Sequence, residues 1–561
     1  MRSLINTALG QEAGDIFFTN ATLFNPFSCE WEENVSFVVK DGYIAGFGDY
    51  SAGSTVSLHA KKIIPGLIDG HVHIESSLLT PVEYGRAVLP RGTTTVIADP
   101  HEIANVAGTD GIRYMLGERL HTPLDILYML PSCVPATPLE TAGAELGAAE
   151  LAPFVGKEGI IGLAEMMDVP GVLSGDDEVW KKIGLCPLVD GHCPQQSGPS
   201  LCAYILSGIQ SDHECTGHEE ALEKLRRGMY VMIREGSTER NLISLLPLLS
   251  ACRISRVMFA TDDRHADMLV SEGHIDDCIR KAIEGGAEPD LVYRMATLSA
   301  AERFRLDDRG ALAPGRLADF CIIDDIDGFR VTATYKRGVR WSDPGYCRRP
   351  PLERPFRCSL PGSTDITIPG SGPARIIEIV KGQILTRAGV EDVQGSRIPH
   401  RSKDLLKVVV CDRYRGAGCG VGIVRGLGLK KGAIASSVSH DSHNIVAAGA
   451  DDRSLLTAIH AVAEKSGGMA VAEADEVAML PLECGGLMSV LPYEEVASRV
   501  SALEGRARSL GAIEHPFMYL SFLSLTVIPE LRITNRGLFD GGAFCDVPLF
   551  MTPDGKRPRD S

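Results

Sequence analysis

Two histidines separated by one residue follow an apolar, strand-like run in the sequence IIPGLIDGHVH. Because alternate side chains of a strand point to the same side, His71 and His73 are expected to project together. Two imidazole nitrogens placed in this way suit one metal ion. The pair is a short signal, and two exposed histidines at the end of a strand are an equally good interpretation of the pair alone.

The segment that follows has the sequence pattern of repeated βα units. Short apolar runs alternate with longer helix-like stretches from Ile64 to about Asp308, which predicts a TIM (β/α)8 barrel. The ends of eight plausible strands follow one another along the chain as LIDGHVH, TTVIADPHE, DILYMLPSC, IIGLAEMMD, CPLVDGHCP, IQSDHECT, YVMIREGS and VMFATDD.

Metal-binding residue types stand at the ends of the first, fourth, fifth, sixth and eighth of these strands. Their spacing fits whole numbers of βα units of about 30 residues, so all of them should meet at the carboxyl-terminal mouth of the barrel, where active sites of this fold are built. Four histidines and two carboxylates suffice for two divalent ions bridged by a carboxylate and a hydroxide. The predicted ligands are His71, His73, Glu165, His192, His213 and Asp262.

The chain is too long for one hydrophobic core, and the pattern of predicted strands and helices divides it into three regions. We expect a small β-sandwich domain formed by both flanks of the barrel (residues 1–63 and 313–365), the barrel itself (64–312) and a C-terminal α/β or α+β domain (366–561). The stretch from Asp343 to Pro373 is rich in proline, arginine and glycine, which is typical of a linker or an extended strap.

Composition and charge narrow the class of protein. The formal net charge is −17 and no block of lysines or arginines is present, which argues against a nucleic-acid partner. No apolar run is long enough to cross a bilayer, and no signal-like segment precedes the first strands. The 15 cysteines form no CxxC pair. We therefore expect a reduced, cytoplasmic protein that acts on a small molecule and forms a homo-oligomer.

Longer motifs in the chain resemble the adenine deaminases of the metal-dependent amidohydrolase superfamily. The resemblance covers nearly the whole chain and is carried by IIPGLIDGHVHIESS, VIADPHEIANV, GLAEMMD, DGHCP, SGIQSDHECT, MIREGS, TDDRH, GHID, GALAPGRLADF, GLGLKKGAIASSVSHDSHNI, GGLMS and PFMYLSFLSL. It implies a centre of two divalent ions, with manganese or iron favoured and zinc as the alternative. The implied reaction, a step of purine salvage, converts adenine and water to hypoxanthine and ammonia.

The resemblance also suggests a role for each principal residue. Water is a poor nucleophile, so the hydroxide that bridges the two ions is expected to attack C6. Asp262 is predicted to accept the proton of that hydroxide and pass it to the leaving amine. Glu165 stands where many members of the superfamily have a carboxylated lysine, and we predict that it bridges the two ions. Glu235 is predicted to protonate a ring nitrogen; a salt bridge with Arg234 is an equally good interpretation.

Eight further residues form a second group of candidates for substrate binding or for support of the metal ligands. Asp263 also competes with Asp262 for the ligand position, although strand pleating should turn it away. The histidines of the SVSHDSHN segment are able to bind a metal, cover the barrel mouth or cap a helix. This group consists of Glu75, Ser76, His101, Glu102, Asp263, Arg264, His440 and His443.

Three other functions are alternatives for this barrel: two of them fit the sequence less well, and one is equally compatible with it. A deacetylase of N-acetyl amino sugars would share the glutamate of strand four, but it would lack the C-terminal motifs. A deaminase of 6-substituted purines would share every motif quoted above. A barrel that serves only as an assembly protein would lose metal ligands, whereas all six positions are filled here.

Overall fold

Strands from the amino-terminal flank form the first part of an open sheet in the computed structural model, which describes residues 1–251, 255–326 and 328–551. The segment Asp41-Gly42 makes the turn of a hairpin, as its sequence predicts. A short helix precedes the strands. These elements are α1 (Arg2–Ala8), β1 (Gly14–Asn25), β2 (Glu30–Lys40), β3 (Tyr43–Phe47), β4 (Ala52–Ser57) and β5 (Lys62–Pro65).

Eight parallel strands then follow in the order that the sequence predicts, and the TIM barrel is confirmed. Five of them pair consecutively in one sheet and the last three in another. The strands are β6 (Leu67–Val72), β7 (Thr93–Ala98), β8 (Asp125–Leu130), β9 (Ile160–Met166), β10 (Val189–Gly191), β11 (Ser211–Asp212), β12 (Tyr230–Arg234) and β13 (Val257–Ala260).

Helices connect these strands and cover the outside of the barrel. In α13 (Ile275–Glu284), the apolar residues Ile275, Cys278, Ile279 and Ala282 recur at helical spacing and are buried in the core between this helix and the strands. The other helices are α2 (Pro81–Val88), α3 (His101–Ala107), α4 (Thr109–Glu118), α5 (Ala148–Leu151), α6 (Val169–Ser174), α7 (Asp177–Ile183), α8 (Gly198–Leu206), α9 (His218–Arg226), α10 (Leu242–Leu245), α11 (Pro247–Ala251), α12 (Ala266–Ser271), α14 (Pro289–Arg294) and α15 (Ala300–Arg303).

The first and last strands of the barrel meet beside the predicted metal ligands. The backbone N–H of Asp262 donates to the carbonyl of His71 over 3.0 Å, and that of His73 donates to the carbonyl of Asp262 over 3.1 Å. The buried carboxylate of Asp69 accepts a hydrogen bond from the Thr261 N–H at 3.1 Å. These bonds fix the two ends of the barrel in register, so that residues far apart in sequence become neighbours.

The carboxyl-terminal flank completes the first sheet, which therefore has eight strands drawn from both sides of the barrel. The returning strand β14 pairs with β5 in antiparallel fashion. Aromatic side chains from both flanks pack at its centre, and the rings of Phe320 and Tyr335 stack 4.4 Å apart. The added strands are β14 (Phe320–Ile323), β15 (Val331–Lys336) and β16 (Val339–Arg340).

The proline- and arginine-rich stretch is an extended strap, as its composition predicts. Residues 342–370 contain no helix or strand. Its charged side chains bind the barrel helices: Asp343 accepts from Arg86 at 2.8 Å, and Arg349 binds Glu118 at 2.9 Å. The arginines of this stretch therefore attach the strap to the barrel.

The C-terminal region contains an eight-stranded mixed sheet, a three-stranded sheet and three helices. It shares a hydrophobic core with the barrel. Its elements are β17 (Ser371–Ile379), β18 (Thr386–Gln394), β19 (Leu406–Cys411), β20 (Cys419–Arg425), β21 (Ala433–Ser436), β22 (Ile445–Gly449), α16 (Asp452–Glu464), β23 (Gly468–Glu473), β24 (Glu476–Pro481), α17 (Tyr493–Ser509), α18 (Pro516–Phe522), β25 (Leu531–Thr534), β26 (Gly537–Asp540) and β27 (Cys545–Val547).

Within the described residues, no helix combines the length and the apolar character that a membrane crossing needs.

A buried arginine joins the two hydrogen-bonded halves of the barrel, and its replacement should destabilise the fold. Arg303 binds Asp190 of β10 at 2.6 Å and donates to Ser211 of β11 at 3.0 Å. We expect Arg303→Met to lower the free energy of unfolding by about 3–5 kcal/mol, because Asp190 would keep a buried charge without a cationic partner. Urea unfolding followed by circular dichroism measures this change.

Two comparisons test the cause of that loss. Adding Asp190→Asn to Arg303→Met should recover part of the stability, because the unpaired charge is removed. Arg330→Ala, which removes an arginine from an exposed pair with Asp324, should change stability by less than about 0.5 kcal/mol. Equal losses in the single and double variants would contradict the ion-pair explanation.

Candidate metal centre

The six predicted ligands converge at the carboxyl-terminal mouth of the barrel. His71 lies within β6 and Glu165 within β9, so strand pleating directs both side chains inward. His73, His192 and His213 each come directly after the end of a strand. All six side chains are buried; the most exposed is that of His192, whose residue retains 8% of its surface.

One half of the centre lies at the seam between β6 and β13. The Nε2 atoms of His71 and His73 lie 3.1 Å apart. One oxygen of Asp262, Oδ1, lies 3.5 Å from His71 Nε2 and 3.2 Å from His73 Nε2. Glu165 Oε1 lies 3.6 Å from the first nitrogen and 3.2 Å from the second. Two imidazoles and two carboxylate oxygens therefore surround one point.

The other half uses the second oxygen of the same glutamate. Glu165 Oε2 lies 2.7 Å from His192 Nδ1 and 3.2 Å from His213 Nε2. Glu165 therefore presents one oxygen to each pair of histidines, which is the arrangement that a carboxylate needs to bridge two ions.

The donor set fits a pair of divalent cations. The Nδ1 of His73 is 3.1 Å from the carbonyl of Asp99; a proton on Nδ1 then donates to that carbonyl and leaves a lone pair on Nε2, which faces His71. Lone pairs that converge in a buried site repel each other unless a cation lies between them. Nitrogen and carboxylate ligands suit manganese, iron and zinc alike. Subsets of these residues bring their ligand atoms within 4.8 Å of one another.

The charges of the site are strongly coupled. Burial alone would raise the pKa of Glu165, but the surrounding histidines, His213 foremost, hold it well below its usual value. Burial alone would also raise the pKa of Asp262. Hydrogen bonds from His71 and His73 and the charge of the Arg234 guanidinium lower that pKa well below its usual value. Both carboxylates are therefore ionised, as metal ligands must be.

The seventh strand turns Arg234, not Glu235, toward the cavity, which corrects the expected placement. Arg234 Nη1 donates to Asp262 Oδ2 over 2.9 Å, and the guanidinium also forms a bidentate pair with Glu214. Glu235 points to the outside of the barrel, where its Oε1 lies 3.0 Å from Lys281 Nζ. Because side chains alternate along a strand, only one of these two neighbours is able to face inward.

Asp263 faces the cavity as well, contrary to the expectation from pleating. The strand β13 ends at Ala260, and Asp262 has a positive φ of 55°, so the alternation of a strand no longer applies there. The carboxylate of Asp263 accepts a hydrogen bond from the hydroxyl of Ser76. Ser76 therefore orients an acid beside the metal ligands, within reach of His73.

Glu102 is bound by both histidines of the SVSHDSHN segment. One carboxylate oxygen contacts His440 Nδ1 and the other contacts His443 Nε2. His101, next to Glu102, has its Nδ1 at 2.9 Å from the carboxylate of Asp99. This cluster joins the C-terminal region to helix α3 at the roof of the cavity.

Four candidates of the second group do not line the cavity: Ser76 and His443, whose contacts are given above, and Glu75 and Arg264. Glu75 Oε1 accepts from the backbone N–H of Ile103 over 3.1 Å, so it stabilises the start of the helix that carries Glu102. Arg264 binds Asp277 at 2.6 Å and Glu272 at 3.4 Å, behind the barrel mouth. Both residues support the elements around the site without touching its interior.

Five of the six predicted ligands, all but His71, line a small chamber of about 30 Å³, which adjoins a larger vestibule of about 270 Å³. Six residues line both spaces: Met167, His192, Glu214, Arg234, Glu239 and Ile384. The C-terminal region supplies the roof of the chamber with Ile384, His440, Asp441, Phe522 and Leu525. The ring of Phe522 stacks on His440 with their centroids 4.7 Å apart.

Glu239 is one of three acids in the chamber that the sequence did not indicate, together with Glu214 and Asp441. Its Oε1 accepts from the hydroxyl of Thr238 at 2.5 Å, and its Oε2 has no hydrogen-bond partner among the described residues. Burial raises the pKa of Glu239 to about 7. Its position in the loop after β12 was the available signal, since loops at this end of the barrel carry the chemistry. Phe522 and Leu525 gave no such signal, because only the tertiary fold brings them to the barrel.

Comparisons with known proteins match both parts of the chain. The family model described as "Amidohydrolase family" matches residues 63–340, and the model described as "Adenine deaminase C-terminal domain" matches residues 383–545. The chain is 61% identical to the adenine deaminase of Methanoculleus marisnigri, over 92% of this chain and 100% of that protein. It is 55% identical to that of Methanoregula boonei, over 98% of each chain. Identity to that of Geobacillus kaustophilus is 44%, over 98% of this chain and 99% of that protein.

Removal of the shared carboxylate should cost the protein both ions. We expect Glu165→Ala to hold less than about one divalent ion per chain, because each of its oxygens serves a different half of the centre. His192→Ala should lose the second ion only. Elemental analysis of protein purified from metal-supplemented cultures measures the content. Glu235→Ala, which changes an acid on the outside of the barrel, should keep the metal content of the parent; unchanged content in Glu165→Ala would contradict a bridging role.

Proposed function

We propose that this chain, which belongs to the adenine deaminase family of the amidohydrolases, hydrolyses adenine to hypoxanthine and ammonia. The observation that carries this proposal is the orientation of Glu165, whose two oxygens face two separate pairs of histidines. Relatives named adenine deaminase match nearly the full chain, and the C-terminal region that roofs the cavity belongs to the matched family domain.

The amidohydrolase family is metal-dependent, and His71, His73, Glu165, His192, His213 and Asp262 are the residues that would hold the metal here. Two divalent ions in this position would lower the pKa of a water molecule to about 7, which supplies a nucleophile at neutral pH. We propose manganese or iron as the native metal. A homo-oligomeric, cytoplasmic enzyme of purine salvage is part of the same proposal.

Asp262 is proposed to move the proton between water and the leaving amine. Water adds its oxygen to C6, the bond between C6 and the amine breaks, and the amine leaves as ammonia with the proton that water gave up. Asp262 lines the chamber, and its Oδ2 is fixed by Arg234 at 2.9 Å. The guanidinium therefore holds the carboxylate in one orientation, with Oδ1 beside the Nε2 atoms of His71 and His73, where it would take and return the proton of a metal-activated water.

Glu239 is proposed to take the role that the sequence suggested for Glu235. Attack at C6 pushes electrons onto a ring nitrogen, and a proton delivered there lowers the barrier. When the amine leaves and the carbonyl of hypoxanthine forms, the hydroxyl proton of the adduct returns to Glu239, and hypoxanthine keeps the proton on its ring nitrogen. Glu239 lines both the chamber and the vestibule, and its Oε2 is without a partner among the described residues. Because burial raises its pKa to about 7, a substantial fraction of this carboxyl group carries a proton at neutral pH.

The C-terminal region is proposed to orient the purine and to exclude water. Burial alone would lower the pKa of His440, but Glu102 and Asp263 raise it to about 9. The imidazole is therefore a hydrogen-bond donor, and Glu102 fixes its plane through Nδ1. Phe522 and Leu525 line the chamber, and Met167 and Ile384 line both the chamber and the vestibule. These apolar side chains suit a flat aromatic ring that extends from the vestibule into the chamber.

Direct assay tests the proposed reaction. Purified protein loaded with manganese should release one ammonia for each adenine consumed, with hypoxanthine as the other product. Ammonia is measured by a coupled enzymatic assay, and hypoxanthine by chromatography. Parallel reactions with 6-substituted purines and with an N-acetyl amino sugar show whether another amidohydrolase substrate is preferred. If metal-loaded protein released no ammonia from adenine, the proposed function would be wrong.

The pH dependence of the reaction should report Glu239. A general acid must carry its proton, so kcat/KM should be highest below the pKa of Glu239 and fall as the pH rises through about 7. Glu239→Gln should lower kcat/KM by about 10²- to 10⁴-fold and remove that falling limb. The same substitution at Glu235, in the same loop but outside the cavity, is the matched control. A Glu239→Gln enzyme with the parent rate and pH profile would rule out this role.

A further inference from the structure

A second cavity lies between the strap, helix α3 and the C-terminal region, and none of the six predicted metal ligands lines it. Its volume is about 620 Å³, which is within the range of small-molecule binding sites. Five cationic side chains line it: Arg348, Arg354, Arg357, Arg413 and Lys465. Two acids, Glu353 and Glu483, also line it. The cavity is thus positively charged, although the chain as a whole has a net charge of −17.

Most of these cations have no acidic partner in the described part of the chain. Arg354 binds Asp110 at 2.9 Å. Arg348, Arg357, Lys465 and Arg413 form no ion pair among the described residues. Glu483 Oε2 accepts from the backbone N–H of Val490 at 3.3 Å and from the hydroxyl of Ser489 at 3.4 Å, and none of the cations of the cavity pairs with it among the described residues. Two carboxylates do not offset five cations, so the lining of the cavity keeps a net positive charge.

Arg413 forms the floor of this cavity and is 2% exposed. Its guanidinium lies between the rings of Phe356 and Tyr414, 5.2 Å from each centroid. One Nη atom donates to the carbonyl of Gly485 over 3.1 Å, while Nε has no partner among the described residues. Gly486 makes room for the guanidinium, since a Cβ there would lie 2.2 Å from Nη1. A buried cation that binds only neutral groups is costly unless an anion completes its environment.

We propose that this cavity binds a phosphate ester of about the size of a mononucleotide. A guanidinium at the floor suits two oxygens of a phosphate group, and the flexible Arg357 and Lys465 at the rim suit the remaining charge. Inorganic phosphate would fill only a small part of the volume, so the organic body of the ester occupies the rest. Phe356 and Tyr414 line the wall and offer apolar contact to it.

The floor of the cavity also touches the segment that binds Glu102. The backbone N–H of Arg413 donates to Asn444 Oδ1 over 3.2 Å, and the hydroxyl of Tyr414 donates to the carbonyl of Ser442 over 2.7 Å. His440 and His443 belong to the same segment. A ligand bound to Arg413 would therefore contact a residue that is hydrogen-bonded to the segment containing His440, and His440 forms part of the roof of the chamber.

Binding is tested with uridine 5′-monophosphate as the probe, because it carries no purine that would compete for the metal site. Isothermal titration calorimetry on the full, metal-loaded chain should show one site with an affinity that weakens as salt is added. Uridine, which lacks the phosphate, should bind at least about tenfold more weakly. Inorganic phosphate should compete with the nucleotide but bind more weakly than it does. No heat and no thermal stabilisation with the nucleotide would overturn the proposal.

Variants at the rim separate this site from the metal centre. Arg357→Ala with Lys465→Ala should weaken nucleotide binding at least about tenfold and leave adenine deamination unchanged, because neither residue lies in the chamber. The charge-preserving pair Arg357→Lys and Lys465→Arg should retain most of the affinity. Arg453→Ala, an exposed arginine paired with Asp475, is the control. Equal affinity in the parent and in the rim double variant would overturn this location, whatever the deaminase assay shows.

Discussion

The organisation of the catalytic site depends on one buried carboxylate. Glu165 has to present its two oxygens to different histidine pairs, and this is possible only if three strand ends, those of β6, β10 and β11, hold those pairs at fixed distances from β9. The hydrogen bonds between His71, His73 and Asp262 set the distance on one side. On the other side, Arg303 joins β10 and β11 just below His192 and His213. The closure of the barrel is thus a requirement of the metal centre as well as of the hydrophobic core.

The C-terminal region turns an open barrel mouth into a chamber. Without Ile384, Phe522 and Leu525, the ligands would lie at the bottom of an open cleft in contact with bulk water. Electrostatic interactions are stronger where water is excluded, so the carboxylates and imidazoles act on the substrate more strongly under this roof. The shared hydrophobic core keeps the roof in place, and the strap ties the two regions together along the outside.

Much of the site is predictable from sequence because a barrel has a regular repeat. Strand ends recur at near-constant intervals and all meet at one mouth, so residue type and spacing predict the six side chains that converge there. The errors occur where that regularity stops. Pleating decides between Arg234 and Glu235 by one residue of register, and Asp263 lies beyond the strand, after a residue with a positive φ. Glu239 reaches the chamber from a loop, and Phe522 reaches it from the C-terminal domain. Neither position is set by the repeat of βα units, so the spacing along the sequence does not predict it.

The cluster of Glu102, His440 and His443 shows how hydrogen bonds decide between a metal site and a structural contact. Its ligand types alone are compatible with a third ion. However, the backbone N–H of Ser439 lies 3.2 Å from His443 Nδ1, which therefore accepts that hydrogen bond and carries no proton. The proton of the neutral ring then lies on Nε2, the atom that faces Glu102, and burial, which lowers the pKa of His443, favours the neutral form. A nitrogen that donates a proton has no lone pair for a metal, so this cluster orients Glu102 and His440 by hydrogen bonds.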